Sequence, residues 1–154
     1  MLIGLIKDES GRFDGYKNMI NTTKNGRISA VVPLYGQFSI ERAIVSVKSV
    51  LSQDISDLEV IISEQGEEKR FPNIDNDILH IFNHHKPKQG LSDFNPGVVR
   101  NIGVINSIGE FVYTNDADIV FTDTRYLSRA KDILEANQGR VLFRPKMRRL
   151  PSFE

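Results

Sequence analysis

The chain has 154 residues, of which 40% are hydrophobic, and its 20 basic and 20 acidic side chains cancel. This length supports one domain with a packed core, and the balanced charge argues against a nucleic-acid binder that relies on a global positive field. There is no cysteine, so disulfides and thiolate metal sites are excluded. The apolar start, Met1 to Ile6, is too short for a secretory signal or a membrane span, which favours a soluble, cytoplasmic protein.

Residues 1–27 are polar and contain four glycines, and we interpret them as an N-terminal extension that could add a short strand or helix. From Arg27 the run "RISAVVPLYG" is apolar and β-branched and is ended by Pro33 and Gly36, which is typical of a buried strand. The segment "SIERAIVSVKSVLSQ" follows with apolar residues at helical spacing. It predicts an amphipathic helix with Ser39 as its N-cap.

The remaining chain alternates between predicted strands and helices. "LEVIISEQG" and "DILHIFNHH" are expected to form the second and third strands. "NPGVVRNIGVINSIG" predicts a helix that starts after Pro96 and closes at Gly109. "EFVYTNDADIVF" predicts a fourth strand that runs to Phe121. "TRYLSRAKDILEANQG" predicts a helix capped by Gly139, before a fifth strand at "RVLFRP". This alternation indicates an α/β fold with a mostly parallel sheet flanked by helices, which binds ligands at the carboxyl ends of its strands.

Two aspartates, Asp116 and Asp118, interrupt the predicted fourth strand. In an extended chain, residues two positions apart point to the same side, and isolated carboxylates buried there would be costly. A Mg²⁺ or Mn²⁺ ion would compensate, because both ions prefer hard oxygen ligands and also bind phosphate oxygens. The alternative is a solvated turn that carries two acidic residues.

The three histidines, His80, His84 and His85, are a weaker candidate for a metal site. On a strand, His80 and His84 would share a face but stand about 13 Å apart at ~3.3 Å per residue. No carboxylate motif accompanies them. We therefore do not predict a metal site at the histidines.

The segments "ISAVVPLYG", "ERAIVSVKSVLSQDISDLEVIISEQG" and "GVVRNIGVINSIGEFVYTNDADIVF" occur in this order. As an ordered set, spanning about residues 28–121, they resemble family-2-type glycosyltransferases with the GT-A fold. The resemblance implies a Rossmann-like GT-A domain over residues 28–154, incomplete at its C-terminus. It also implies transfer of a hexose from a nucleoside-diphosphate sugar, with UDP as the expected nucleotide, to a glycan or lipid-linked acceptor.

The resemblance assigns roles at the ends of the first two strands. Pro33 and Tyr35 would lie at the nucleotide, with the flat ring of Tyr35 stacked beside the base. The alternative for Tyr35 is a core aromatic at a strand end. Glu64 would accept a hydrogen bond from the base or the ribose, at a position where the family usually has an aspartate.

The resemblance also assigns the residues nearest the diphosphate. Arg100 and Asn101 match the family's Arg–Asn pair, and Arg100 would reach the base or the diphosphate. The alternative is a surface arginine paired with a carboxylate. Asp116 would lie near the ribose and the metal, and Asp118 would bind Mn²⁺ or Mg²⁺ directly. The metal would then neutralise charge as the diphosphate departs.

A catalytic base is not found among these residues. In inverting members of the family, an Asp or Glu in the second half of the enzyme deprotonates the acceptor hydroxyl. Asp123, Asp132 and Glu135 follow the D-x-D too closely for that role. We therefore expect a donor-binding portion that could be inactive on its own. The competing hypothesis is a non-catalytic GT-A-like binding or assembly module that needs a partner chain.

The C-terminal segment carries five basic residues: Arg140, Arg144, Lys146, Arg148 and Arg149. Such a run could contact an acidic partner or an anionic membrane surface, here the inner face of the membrane. A solvated edge or tail is the alternative that we favour. Nucleic acid is not an expected partner.

Overall fold

The computed structural model describes residues 2–4, 24–85 and 95–138, with side chains over 25–85 and 95–138. The chain forms eight elements in the following order: β1 (Leu2–Gly4), β2 (Lys24–Tyr35), α1 (Ile40–Leu51), β3 (Leu58–Gly66), β4 (Ile78–His84), α2 (Pro96–Ile105), β5 (Gly109–Thr114) and α3 (Tyr126–Ala136). The predicted α/β class is confirmed. The predicted fifth strand, the Gly139 cap and the basic C-terminal run lie outside the described residues.

The five described strands form one sheet in the order β1-β5-β2-β3-β4. Four strands run parallel to one another: β5, β2, β3 and β4. The strand β1, which lies in the predicted N-terminal extension, is antiparallel to β5. The four parallel strands therefore end at a common edge, which we call the carboxyl edge. Ligands of open parallel sheets bind at such an edge.

The two faces of the sheet bury different side chains because successive residues of a strand point in opposite directions. On one face, β2 packs against α1 and α3 through the following buried residues: Ile28, Ala30, Val32, Leu34, Ala43, Val47, Val50, Leu127 and Leu134. On the other face, Val31, Ile61 and Val112 pack with Val104 of α2. α1 begins at the predicted N-cap, where the Ser39 hydroxyl accepts a hydrogen bond from Arg42 N at 3.3 Å. Within the described ranges, no helix is long and apolar enough to cross a bilayer.

The helix α2 lies unusually close to the sheet. A Cβ atom added at Gly103 would stand 2.3 Å from Val31 Cγ1, so a larger residue would push the helix away. One turn earlier, the Ser63 hydroxyl donates a hydrogen bond of 2.7 Å to Val99 O. These two contacts fix the height of α2 above β2 and β3.

The first long strand differs from its prediction at both ends. β2 begins at Lys24 rather than Arg27 and contains an irregular register next to Gly26, which has a φ of 73°. Pro33 does not end the strand. Asn115 N donates to Val31 O, so the peptide groups of Val31 and Pro33 face β5, and the β5 ladder stops at the pair Val31–Thr114. The missing N–H of Pro33 therefore falls where no ladder bond is required.

The helix α2 ends at Ile105, earlier than the predicted Gly109. Asn106 caps it, with its backbone N–H donating to Ile102 O at 3.3 Å. Gly109 instead opens β5, where an added Cβ would lie 2.6 Å from Ser29 N. Gly109 thus allows β5 to lie close to β2, and it does not end the helix.

Candidate functional site

The two aspartates of the D-x-D lie in a turn and not in a strand. β5 ends at Thr114, which corrects the prediction that the strand continues to Phe121. Ile119 N donates to Asp116 O at 3.0 Å and closes the turn. Ala117 is only 4% exposed, whereas Asp116 and Asp118 are exposed. Both carboxylates therefore reach solvent because the turn buries the residue between them, and the cost of burying them does not arise.

A buried asparagine holds this turn from below. The Asn115 side chain accepts a hydrogen bond from Tyr113 Oη at 3.0 Å and donates to Ser46 Oγ at 2.9 Å and Ile119 O at 3.2 Å. The Ser46 hydroxyl in turn donates to Ile119 O at 2.7 Å. Both polar side-chain atoms of the fully buried Asn115 are hydrogen-bonded, and these bonds fix the conformation of the turn.

A second set of contacts fixes the chain after the turn. Phe121 N donates to Ser49 Oγ at 3.0 Å, and Phe121 forms an aromatic cluster with Tyr113 and Tyr126 at ring-centroid distances of 5.0–6.1 Å. Burial raises the pKa of Tyr126 to about 12. Burial also raises the pKa of Tyr113, with the charges of Tyr126 and Asp116 adding to the effect. Both phenols therefore remain protonated at neutral pH.

These supporting residues were absent from the predicted site. The available signal was the spacing of Ser46 and Ser49, three positions apart on the apolar face of α1. Polar residues that a helix buries need hydrogen-bond partners, and here the partners lie on the segment that carries the D-x-D.

The helix α2 brings Arg100 to the first aspartate. Arg100 Nη2 donates a hydrogen bond to Asp116 Oδ1, and the side chains are 35% and 51% exposed. The sequence left open a surface arginine paired with a carboxylate, and the structure shows such a pair with a D-x-D residue as the partner. Asn101 is exposed at the next position of the helix, and Asp118 forms no ion pair within the described residues.

Tyr35 lies half-buried at the carboxyl end of β2, in register with Gln65 of β3. Its ring packs edge-on against Phe38, with centroids 5.9 Å apart and planes at 65°. Pro33 is buried within the strand. Tyr35 is thus at the carboxyl edge, and its ring is partly covered by the ring of Phe38. Its predicted contact with the base stays a prediction.

Glu64, at the end of β3, is enclosed by the protein. Its side chain is 1% exposed and accepts hydrogen bonds from Arg70 N at 2.9 Å, Phe71 N at 3.3 Å and His80 Nε2 at 2.7 Å. Phe71 also packs edge-on against the His80 ring. The predicted contact of Glu64 with the base or ribose stays a prediction, and in this structure the carboxylate anchors the segment between β3 and β4.

Two opposing effects act on the pKa of Glu64. Burial is the largest and raises it, but the hydrogen bonds from His80, Arg70 and Phe71 lower it, and the charge of His80 adds to them. The net result is a pKa below the usual range of a glutamate. The buried carboxylate is therefore ionised at neutral pH and stabilised by its donors.

The described residues offer a metal at this edge two exposed carboxylates, those of Asp116 and Asp118. Across residues 24–85 and 95–138, no group of three or more His, Asp or Glu side chains could hold an ion. Asp116 and Asp118 supply oxygen donors of the kind that Mn²⁺ and Mg²⁺ prefer. Two exposed carboxylates fit such an ion when phosphate oxygens complete its coordination. His84 and His85 lie at the end of β4, and His85 N donates to Gly66 O at 2.8 Å.

The fold and this edge define a class: an α/β domain with polar side chains at the carboxyl ends of its parallel strands, the edge at which such sheets bind ligands. No family model matches the chain. It is 30% identical over 127 residues to an uncharacterised glycosyltransferase of Rickettsia conorii, and 27% identical over 124 residues to one of Rickettsia felis. Each comparison covers 79% of this chain and 19% of the relative, so the chain spans about a fifth of the length of these relatives.

Solved structures of a similar α/β fold are known. The chain is similar to S. aureus TarS residues 1–349, with a TM-score of 0.51 and 19% identity, over 73% of this chain and 33% of that one. TarS 1–349 in complex with UDP gives a TM-score of 0.53 and 20% identity over the same shares. Together with the two relatives named glycosyltransferases, these structures confirm the resemblance to the N-terminal, GT-A-like portion of glycosyltransferases.

Proposed function

We propose that the chain is the donor-binding portion of a metal-dependent glycosyltransferase. Its reaction would transfer a hexose from a nucleoside-diphosphate sugar, with UDP as the nucleotide, to a glycan or lipid-linked acceptor. One observation carries the proposal: Arg100 of α2 pairs with Asp116 at the carboxyl edge, and Asp116 and Asp118 are exposed on a turn that buried hydrogen bonds hold. The relatives named glycosyltransferases and the UDP complex of TarS support it.

The exposed carboxylates are the proposed metal ligands. Asp118 would bind Mn²⁺ or Mg²⁺ directly. Asp116 would lie near the ribose and also bind the metal. When bound, the ion would neutralise the charge that develops on the departing diphosphate. The hydrogen bonds of Asn115 hold the backbone of the turn, so the protein would not have to order the segment that carries the carboxylates when the ion arrives.

The cationic and aromatic groups are the proposed nucleotide ligands. Arg100 carries a planar guanidinium suited to phosphate oxygens, and it is partly exposed at the edge. Tyr35 would stack beside the base, near Pro33. Asn101, which follows Arg100 on α2, would also bind the nucleotide-sugar. Glu64 would contribute chiefly by fixing the segment between β3 and β4, because its oxygens already have three donors.

Isothermal titration calorimetry of UDP, with and without Mn²⁺, tests the proposal. We expect UDP to bind with Mn²⁺ and to bind at least tenfold more weakly without it. The Asp118→Asn variant should lose the metal-dependent part of the affinity. Asp132→Asn provides the matched control, since Asp132 is an exposed aspartate of α3 away from the carboxyl edge.

The competing hypothesis makes a different prediction in the same experiment. A GT-A-like binding or assembly module would fold normally and show no affinity for UDP in the presence or absence of Mn²⁺. Equal metal-dependent binding by Asp118→Asn and the wild type would contradict the assigned role of Asp118.

A further inference from the structure

We infer that Arg100 is an internal counter-ion that occupies Asp116 until a divalent cation displaces it, after which the guanidinium is released toward the diphosphate. The inference rests on the proposed function and adds a regulatory step to the same site. Its basis is the ion pair itself. The arginine assigned to the nucleotide and the aspartate assigned to the metal are bound to each other.

The exposure of the pair allows it to exchange. A buried ion pair would resist opening because each partner would be left charged in an apolar setting. Arg100 and Asp116 are 35% and 51% exposed, so water can solvate either side chain when the pair opens. Exposed pairs of this kind contribute little net stability, which makes displacement by a divalent ion feasible.

The backbones on both sides of the pair are held in place. Arg100 is on α2, which is fixed by the Ser63–Val99 hydrogen bond and by the contact of Gly103 with Val31. Asp116 begins the turn that Asn115 anchors. Opening the pair therefore requires rotation of side chains and no change in either element.

The charges of the three side chains explain why pairing of Arg100 with Asp116 would lower the affinity for a divalent cation. Asp116 and Asp118 together present two negative charges to a cation, and the paired guanidinium cancels one of them. A divalent ion must therefore compete with Arg100 for Asp116. A diphosphate that attracts Arg100 would free Asp116, so each ligand should raise the affinity for the other by the same factor.

The experiment compares single and paired ligands on the wild type and Arg100→Ala. Binding of Mn²⁺ alone is followed by electron paramagnetic resonance of the free ion, and binding of UDP alone by calorimetry. Each titration is then repeated with the other ligand present. We expect Arg100→Ala to bind Mn²⁺ alone about two- to fivefold more tightly, since an exposed pair of modest strength is lost. It should bind UDP more weakly, and the coupling between the two ligands should shrink.

Two further variants separate the competition from a general effect of charge. Arg129→Ala removes an exposed arginine that pairs with Asp123 outside the site, and its Mn²⁺ affinity should equal that of the wild type. Arg100→Lys retains the positive charge and should keep the affinity for Mn²⁺ alone within about twofold of the wild type. Circular dichroism of each variant confirms folding.

The outcomes distinguish this inference from the proposed function. If Mn²⁺ alone binds Arg100→Ala no more tightly than the wild type, while the wild type binds UDP with metal, the counter-ion role is wrong and the proposed function stands. If the folded wild type binds neither Mn²⁺ nor UDP, both ideas fail. Tighter Mn²⁺ binding in both Arg100→Ala and Arg129→Ala would also overturn the inference, because it would reflect net charge alone.

Discussion

Glu64 and Asp116 lie at the same edge of the sheet, and their carboxylates have opposite environments. Glu64 is 1% exposed and accepts three hydrogen bonds from groups that the fold holds in place. Asp116 is 51% exposed and forms an ion pair with one flexible arginine. An acidic residue at a ligand-binding edge can thus be part of the scaffold or available for exchange. The number of its donors and its exposure decide which.

The largest expected effect is the loss of the enclosed carboxylate. Glu64→Ala should lower the free energy of unfolding by about 3–5 kcal/mol, because His80 and two backbone N–H groups lose a charged partner in a buried setting. Urea denaturation measures this. Since the alanine variant could fail to fold, Glu64→Gln serves as the milder test, with an expected loss of about 1–3 kcal/mol. A change below that range in the glutamine variant would show that Glu64 is not part of the scaffold.

The next effect concerns the support beneath the exposed carboxylates. Asn115→Ala removes a side chain that joins Tyr113, Ser46 and Ile119, and we expect a loss of about 2–3 kcal/mol in unfolding free energy. Thermal or urea unfolding gives the value. Ser128→Ala, which removes a hydroxyl whose 3.0 Å bond to Arg125 O is exposed, is the control. Equal losses in the two variants would contradict the special role of Asn115.

A smaller effect should appear in the dependence of stability on pH. The pKa of Glu64 is lowered in the folded state, so its ionised form stabilises the protein above the unfolded pKa. This contribution is lost as the pH falls through the folded pKa, in the acid range below the ordinary value of 4.5. Unfolding free energies measured between about pH 6 and pH 3 should therefore fall less steeply for Glu64→Gln than for the wild type. Parallel curves would refute the assignment.

The smallest expected change in stability is at the exposed carboxylate. Asp116→Ala should change the unfolding free energy by about 0–1 kcal/mol, because it removes only a partly exposed ion pair. The same variant should lose metal-dependent UDP binding, which calorimetry measures. A destabilisation comparable to that of Glu64→Gln would remove the distinction between the two carboxylates.

From β2 to α3, the sequence was sufficient to predict the order of strands and helices. Apolar runs such as "AVVPL" and "EVIIS" follow from the burial of both faces of a parallel sheet, and the helical spacing behind Ser39 marks α1. The carboxyl edge then follows from topology alone, since parallel strands end together. The resemblance to glycosyltransferases located the candidate residues on that edge.

The local course of the chain at the site depended on contacts that are distant in sequence. After Thr114 the chain has Asn115, Asp116 and Asp118 and then returns to the apolar residues 119–121, and this return favoured a strand that continues to Phe121. The turn is stabilised by the hydrogen bond from the Asn115 side chain to Ser46 on α1, which is 69 residues away in sequence. Likewise, Glu64 and His80 meet because β3 and β4 are in register at Ile62 and His80, and a single sequence does not encode that register in any local signal.

The close packing of α2 on the sheet at Gly103 also bears on the rate of ligand binding. A helix packed this closely against β2 has little room for the microsecond-to-millisecond rocking by which many sites open. Rotamers of a partly exposed side chain interconvert in picoseconds to nanoseconds. The carboxyl edge would then respond to an incoming cation almost as fast as the two collide, and ligand capture would show no slow isomerisation phase.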